Sequence, residues 1–138
     1  MMNKKIFCLL SLLLMVIGCQ SDDVNSKLQG KWQLKTIEQS GEIIEVDTVW
    51  YNFQSESLFM YQVYVAQKDS VLYRYGYATY PEESVLDLEL ESYAGPVDAF
   101  LPYTDWAESK RTFRIDKLSG KKLVLQDEGK IYSFKKFE

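Results

Sequence analysis

The side-chain chemistry of this chain excludes several kinds of catalysis and metal binding. Its 138 residues include no histidine, so the commonest general base and the commonest metal ligand are missing. Serine–histidine–aspartate hydrolysis and histidine zinc sites are therefore excluded. The two cysteines, Cys8 and Cys19, both stand in the first nineteen residues, so the remainder of the chain has no thiol for a disulfide, metal or redox site.

The remaining candidates for catalysis are carboxylates. Glu82 and Glu83 adjoin in a predicted turn, and Asp87 lies on the outward face of a predicted strand. Paired carboxylates catalyse glycosidase-type reactions where their surroundings perturb a pKa, whereas these positions are those of solvated surface groups. We therefore expect no enzyme, no cofactor and no metal.

The first eighteen residues are typical of a signal peptide. Lys4 and Lys5 form a basic start, and residues 6–17 form an uncharged, largely apolar run of twelve. A membrane-spanning helix needs about 20 apolar residues, so this run is too short to cross a bilayer and has the length of a signal-peptide core. The alternative, a buried apolar helix, leaves the basic start and the small residue before Cys19 unexplained.

The segment Val16-Ile17-Gly18-Cys19 resembles the lipobox of bacterial lipoproteins, in which the cysteine is acylated and becomes the new N-terminus. This resemblance implies a signal peptide over 1–18, a lipid on Cys19 and attachment to the outer membrane through that lipid. Residues 19–27 then form a lipidated tether. Its start, Gln20-Ser21-Asp22-Asp23, resembles the acidic export signal of Bacteroidetes surface lipoproteins. An ordinary solvated linker explains the same residues, so the surface and periplasmic sides stay open.

The charge of the mature chain is unfavourable for nucleic-acid binding. Removing residues 1–18 takes away Lys4 and Lys5 and no acid, which leaves 14 basic and 20 acidic side chains and a net charge of −6. Binding to nucleic acid depends on clustered basic residues, and no basic stripe is present. The expected contacts are the membrane, through the lipid on Cys19, and a small apolar ligand, while any protein partner stays unidentified.

Alternation of apolar and polar residues predicts an all-β domain over 28–138. In residues 85–91, leucines at 86, 88 and 90 alternate with acids, the pattern of a strand with one buried face. Further strands are predicted at 30–37, at 43–53 with a break near Asp47, and at 58–66, 71–79, 110–118, 122–127 and 130–137. Eight antiparallel strands joined mostly by tight turns form an up-and-down meander, which we expect to close into a barrel because closure removes its exposed edges.

Gly30-Lys31-Trp32 opens the first predicted strand and resembles the Gly-x-Trp signature of lipocalins. The layout of 28–138 is similar to that of lipocalin-like domains of Bacteroidetes lipoproteins. This resemblance implies an eight-stranded barrel that binds a small, partly apolar molecule. It also implies a cation packed over Trp32 from the C-terminal part, and we expect Lys136 there because the last strand of a closed meander lies beside the first.

Residues 92–109 form a connection too long for a hairpin, and strand parity places it at the end of the barrel opposite Trp32. Its apolar side chains Phe100, Leu101, Tyr103 and Trp106 are poor choices for free solvation. They either fill the barrel or grip a ligand, and we favour filling because small barrels are packed with side chains.

The hairpin over 58–79 has two apolar faces, so alternation does not decide which is inside. One face carries Tyr73, Tyr75 and Tyr77, which would line a polar-aromatic cavity. The other carries valines and Arg74, which would then need an anion, either a carboxylate ligand or Asp87 or Glu89. These assignments take the turn to be two residues at Lys68-Asp69.

Two functions follow from this architecture. The first is a membrane-anchored binding module, with ligand contacts predicted at Arg74, Tyr73, Tyr75, Tyr77, Phe100, Tyr103 and Trp106. The alternative is a protein-interaction or structural surface module with a filled barrel. A pocket of about 300 Å³ or more favours a ligand, and an apolar outer patch favours a protein partner.

Overall fold

Antiparallel strands make up most of the computed structural model, which describes residues 26–55 and 57–137. Its strands are β1 (Gly30–Gln39), β2 (Glu42–Glu45), β3 (Val49–Phe53), β4 (Leu58–Val65), β5 (Ser70–Glu82), β6 (Val85–Leu90), β7 (Lys110–Leu118), β8 (Lys122–Asp127) and β9 (Lys130–Lys136). Short 3-10 helices are found at Ala66–Lys68, Val97–Ala99 and Leu101–Tyr103. The predicted signal peptide, Cys19 and most of the tether lie outside the described residues.

Strand β1 closes the sheet into a barrel, because it pairs with β3 on one side and with β9 on the other. From β3 to β9 each strand pairs antiparallel with the next in the chain. The short β2 pairs with the second half of β1 and continues the line of β3, so the second barrel strand is in two pieces. The predicted closed eight-stranded barrel is thus confirmed, and the break falls near Asp47 as expected.

The barrel interior is filled by the inward side chain of every second strand residue. In β6, Leu86, Leu88 and Leu90 are at most 3% exposed, so the alternation predicted for this strand is confirmed. Burial of one leucine stabilises the fold by about 1.5–3 kcal/mol. The other large, fully buried side chains include Trp32, Tyr51, Phe53, Phe59, Tyr61, Phe113 and Tyr132.

The connection between β4 and β5 differs from the predicted two-residue turn. Val65 pairs with Ser70, so four residues, 66–69, separate the strands. The difference from the expected length is even, and each side chain therefore keeps its predicted face. Strand β5 also extends through Glu82, which places Glu82 in the strand instead of in the predicted turn.

The Gly30-x-Trp32 segment lies at one end of the barrel, which we call the closed end. Trp32 is fully buried, and its Nε1 donates to the Leu28 carbonyl across 2.8 Å. Lys136 pairs with Trp32 between β1 and β9, and its Nζ lies 4.5 Å from the centroid of the indole. Gly30 has a φ of +120°, and a Cβ there would overlap the Lys136 side chain, so glycine alone suits this position.

Candidate functional site

The end of the barrel opposite Trp32, the open end, carries the long connection between β6 and β7. This connection, residues 91–109, meets the turns at 40–41, 66–69 and 128–129 there, as strand parity predicts. Its two 3-10 helices fold it back over the barrel mouth. We refer to residues 91–109 as the mouth loop.

Two aromatic side chains of the mouth loop enter the barrel. Phe100 and Trp106 are 5% and 4% exposed and belong to the core, and Leu101 packs against that core. Tyr103 stays at the rim, where its ring lies 5.1 Å from Lys68 Nζ. Of the two alternatives for these side chains, the structure therefore has the barrel filled by the loop.

Trp106 lies in a slot formed by four rings of the barrel wall, the Trp106 slot. Its ring centroid is 5.3 Å from that of Tyr61, 6.3 Å from those of Phe59 and Tyr51, and 6.4 Å from that of Phe113. These separations are those of favourable aromatic pairs. The indole Nε1 also donates to the Tyr51 hydroxyl across 3.0 Å. The slot therefore packs rings against the indole and also provides an acceptor for its N–H group.

A charged cluster, the Arg111 cluster, lies beside this slot. Arg111 Nε donates to Asp127 across 2.8 Å, and its Nη1 donates to Asp105 of the mouth loop across 3.1 Å. Its Nη2 donates to the Tyr132 hydroxyl, which in turn donates to Asp105 across 2.6 Å. The guanidinium also lies over the rings of Phe113 and Tyr132, and the Arg111 side chain is only 11% exposed.

The electrostatics of this end keep Arg111 charged and the tyrosines neutral. Burial lowers the pKa of Arg111, but its hydrogen bond to Asp127 and the nearby Asp105 outweigh burial, so the pKa lies above its usual range. Burial, followed by the negative charge of Asp105, raises the pKa of Tyr51. Burial and the hydrogen bond to Asp105 raise that of Tyr132. The open end therefore presents a permanent cation with neutral hydroxyl donors.

An open crevice of about 470 Å³ adjoins the Arg111 cluster. It lies between the last residues of the mouth loop and the turn between β8 and β9. The polar side chains that line it include Gln39, Asp105, Arg111, Thr112, Asp127 and Lys130. The crevice gives solvent and solutes a direct approach to Arg111.

Arg74 fastens the other end of the mouth loop. Its Nη1 donates to the carbonyls of Gly95 across 2.9 Å and of Glu91 across 3.3 Å, and its Nη2 donates to that of Pro96 across 3.2 Å. These carbonyls take the place of the expected intramolecular partners, Asp87 and Glu89. The mouth loop turns back over β5 and directs these three carbonyl groups at the Arg74 guanidinium. Their dipoles therefore stabilise its positive charge in place of an anion.

Of the two faces left open for the hairpin over 58–79, the one with Tyr73, Tyr75 and Tyr77 does not line the barrel. These side chains are 59%, 39% and 46% exposed and lie on the outer face of β5. The inward positions of the same strand are Gly76 and Ala78, both buried. Position 76 requires glycine because it pairs with Phe59, and a Cβ there would meet the Phe59 ring and the Glu89 carbonyl.

Sequence reasoning missed the Arg111 cluster. The available signal was strand parity, because Arg111 shares a face of β7 with Phe113, and Tyr132 shares a face of β9 with Phe134. Both positions point inward, yet their partner Asp105 belongs to a loop without periodicity. Only the folded path of that loop brings its carboxylate to the guanidinium.

A family model described as a lipocalin-like domain matches residues 12–137. The chain belongs to this family. Two solved structures are similar to the lipocalin-like chain. A lipocalin-like protein from Bacteroides uniformis ATCC 8492 is 28% identical, with a TM-score of 0.71 over 80% of this chain and 99% of its own. An uncharacterized protein from Bacteroides eggerthii DSM 20697 is 26% identical, with a TM-score of 0.65 over 79% and 98%.

No curated protein matches the lipocalin-like chain. Within residues 26–55 and 57–137, no helix has the length and apolarity needed to cross a membrane. The same ranges contain no group of three or more histidine, cysteine, aspartate or glutamate side chains that could hold a metal ion.

Proposed function

We propose that this lipocalin-like protein is anchored to the outer membrane by lipid on Cys19 and binds a small, partly apolar molecule at its open end. The observation that carries the proposal is the Trp106 slot, an aromatic site filled by a loop residue. The slot lies beside the Arg111 cluster, which an open crevice of about 470 Å³ adjoins. A ligand that displaces the indole gains four ring contacts and the Tyr51 hydroxyl. The lipocalin-like family relationship supports the same function.

Binding is tested by nuclear magnetic resonance of the indole N–H groups. The mature chain is titrated with fatty acids, bile-acid-like steroids and aromatic metabolites. A ligand at the open end should shift the Trp106 Nε1–H signal, while that of Trp32, fixed to Leu28 at the closed end, stays in place. If no compound moves the Trp106 signal, small-molecule binding at this end is refuted.

Anchoring is tested separately in the bacterial host. The motivation is the segment that ends in Gly18-Cys19. Cys19→Ala should yield uncleaved or soluble protein that carries no fatty acid, whereas Cys8→Ala should be processed and acylated normally. Normal acylation of the Cys19→Ala protein would refute the proposal.

A second candidate function is binding of a protein partner through the outer tyrosine row, Tyr73, Tyr75 and Tyr77. These neighbouring outward side chains are all more than a third exposed, and tyrosine is enriched at protein interfaces. A triple substitution to serine should abolish co-purification of a specific partner that the wild type retains. If the triple variant retains every partner, the row is ordinary surface.

A further inference from the structure

Two neighbouring residues of the mouth loop, Asp105 and Trp106, occupy two adjoining sites at the open end. The Asp105 carboxylate accepts from Arg111 across 3.1 Å and from the Tyr132 hydroxyl across 2.6 Å. The Trp106 indole fills the aromatic slot and is 4% exposed. Together they present a carboxylate joined by a short flexible link to a flat apolar ring.

The two sites form one continuous surface of the barrel wall. The Phe113 ring lies 4.6 Å from the Arg111 guanidinium and has its centroid 6.4 Å from that of Trp106. Its centroid also lies 5.6 Å from that of Tyr132. A single molecule can therefore contact the charged cluster and the slot at the same time.

The charge of the cluster selects among molecules that could replace this pair. Arg111 now has two carboxylate partners, Asp105 and Asp127. Withdrawal of the loop removes Asp105 and leaves Tyr132 without its acceptor. A neutral carbonyl restores these contacts only as weaker hydrogen bonds and leaves the charge of Asp105 unreplaced, and an ammonium group would add positive charge beside the guanidinium. A carboxylate restores both, since guanidinium and hydroxyl donors form their strongest hydrogen bonds with an ionised acceptor.

We infer that Asp105-Trp106 is an internal mimic of the ligand, and that the ligand is an amphipathic carboxylate with a flat ring. The inference rests on the proposed function and specifies its ligand class. The incoming carboxylate takes the place of Asp105 on Arg111 and Tyr132, and its ring takes the place of the indole. The mouth loop therefore competes with the ligand for the same site.

The test uses three probes that share one ring and differ in charge: indolebutyrate, indolebutyramide and indolebutylamine. Affinities for the mature wild-type protein are measured by calorimetry, and the Trp106 Nε1–H signal reports the position of binding. Indolebutyrate should bind about ten-fold more tightly than the amide, because it makes charge-assisted hydrogen bonds, and the amine should bind most weakly.

Matched variants separate the roles of the cluster. Tyr132→Phe keeps the ring and removes one donor, so indolebutyrate should lose affinity several-fold, while the amide, which accepts a weaker hydrogen bond, should lose less. Asp105→Asn weakens the competing contact, so indolebutyrate should bind several-fold more tightly than to wild type. Asp98→Asn, an exposed position of the same loop outside the cluster, should leave both affinities unchanged.

The outcomes distinguish this inference from the function on which it rests. Equal affinities for indolebutyrate and its amide, or weaker carboxylate binding by Asp105→Asn, would overturn the mimic and leave ligand binding standing. If neither the probes nor any uncharged apolar compound moves the Trp106 signal, the proposed function fails with it.

Discussion

The Trp106 indole donates to the Tyr51 hydroxyl across 3.0 Å and joins residues 55 positions apart in the chain. Tyr51 belongs to β3 of the barrel wall, whereas Trp106 belongs to the mouth loop. This hydrogen bond and the surrounding rings hold the loop inside the barrel. The contacts that hold the mouth loop over the barrel are therefore the same contacts that pack the core around Trp106.

Trp106→Ala should destabilise the fold by about 3–5 kcal/mol, because it leaves a cavity among the rings and removes the hydrogen bond to the Tyr51 hydroxyl. Urea denaturation measures the free energy of unfolding. The matched control is Tyr93→Ala, since Tyr93 is in the same loop but 91% exposed, and its effect should stay within about 0.5 kcal/mol. Equal effects of the two substitutions would mean that Trp106 does not anchor the loop.

Gly30→Ala should destabilise the closed end by at least about 1–3 kcal/mol. The cost arises because alanine is strained at a φ of +120° and its Cβ displaces Lys136 from Trp32. Thermal denaturation gives the measurement. Gly120→Ala is the control, because nothing lies within 4 Å of the added Cβ there, and an equally large loss at Gly120 would contradict this account.

Arg74→Met should loosen the first part of the mouth loop. The variant loses the hydrogen bonds to Glu91, Gly95 and Pro96, a loss of about 1–3 kcal/mol. Amide hydrogen exchange should accelerate over 91–99 and stay unchanged in β8. Arg114→Met removes an exposed arginine that contacts Asp116 and Gln126, so exchange over 91–99 should not change, since surface ion pairs contribute little. Unchanged exchange in Arg74→Met would show that the loop does not depend on this residue.

Stability should fall as the pH rises above about 10. Burial raises the pKa of Tyr80 to about 12, against an ordinary value of 10.0, and raises that of Tyr51 further. Above pH 10 the unfolded chain releases these protons while the folded chain keeps them, so ionisation favours unfolding. The stability associated with Tyr80 is complete below pH 10 and is lost as the pH approaches 12. Urea denaturation between pH 8 and 12 measures the decline.

Tyr80→Phe is the matched variant for this pH dependence. The substitution removes the phenolic proton whose release is coupled to unfolding. The decline in the free energy of unfolding between pH 10 and 12 should therefore be shallower than in the wild type. If the variant loses as much stability over this pH range as the wild type does, Tyr80 titrates normally in the folded protein.

Strong local patterns made the barrel predictable. The leucines of β6 alternate with acids, and only one of the resulting faces can be buried, so sequence alone determined its orientation. Ser40-Gly41 and Glu128-Gly129 have the positive φ values of two-residue hairpin turns, which determined the pairing of neighbouring strands. Strand parity then placed the mouth loop opposite Trp32.

The sequence did not determine which face of β5 is inside or which groups meet at the open end. Both faces of β5 are apolar, and the choice came from packing, because Gly76 leaves room for the Phe59 ring of β4. Arg111 found its acceptors on a loop, on β8 and on β9, contacts between segments far apart in the chain. Periodicity describes one element at a time, whereas the site depends on how the closed barrel and its loop bring several elements together.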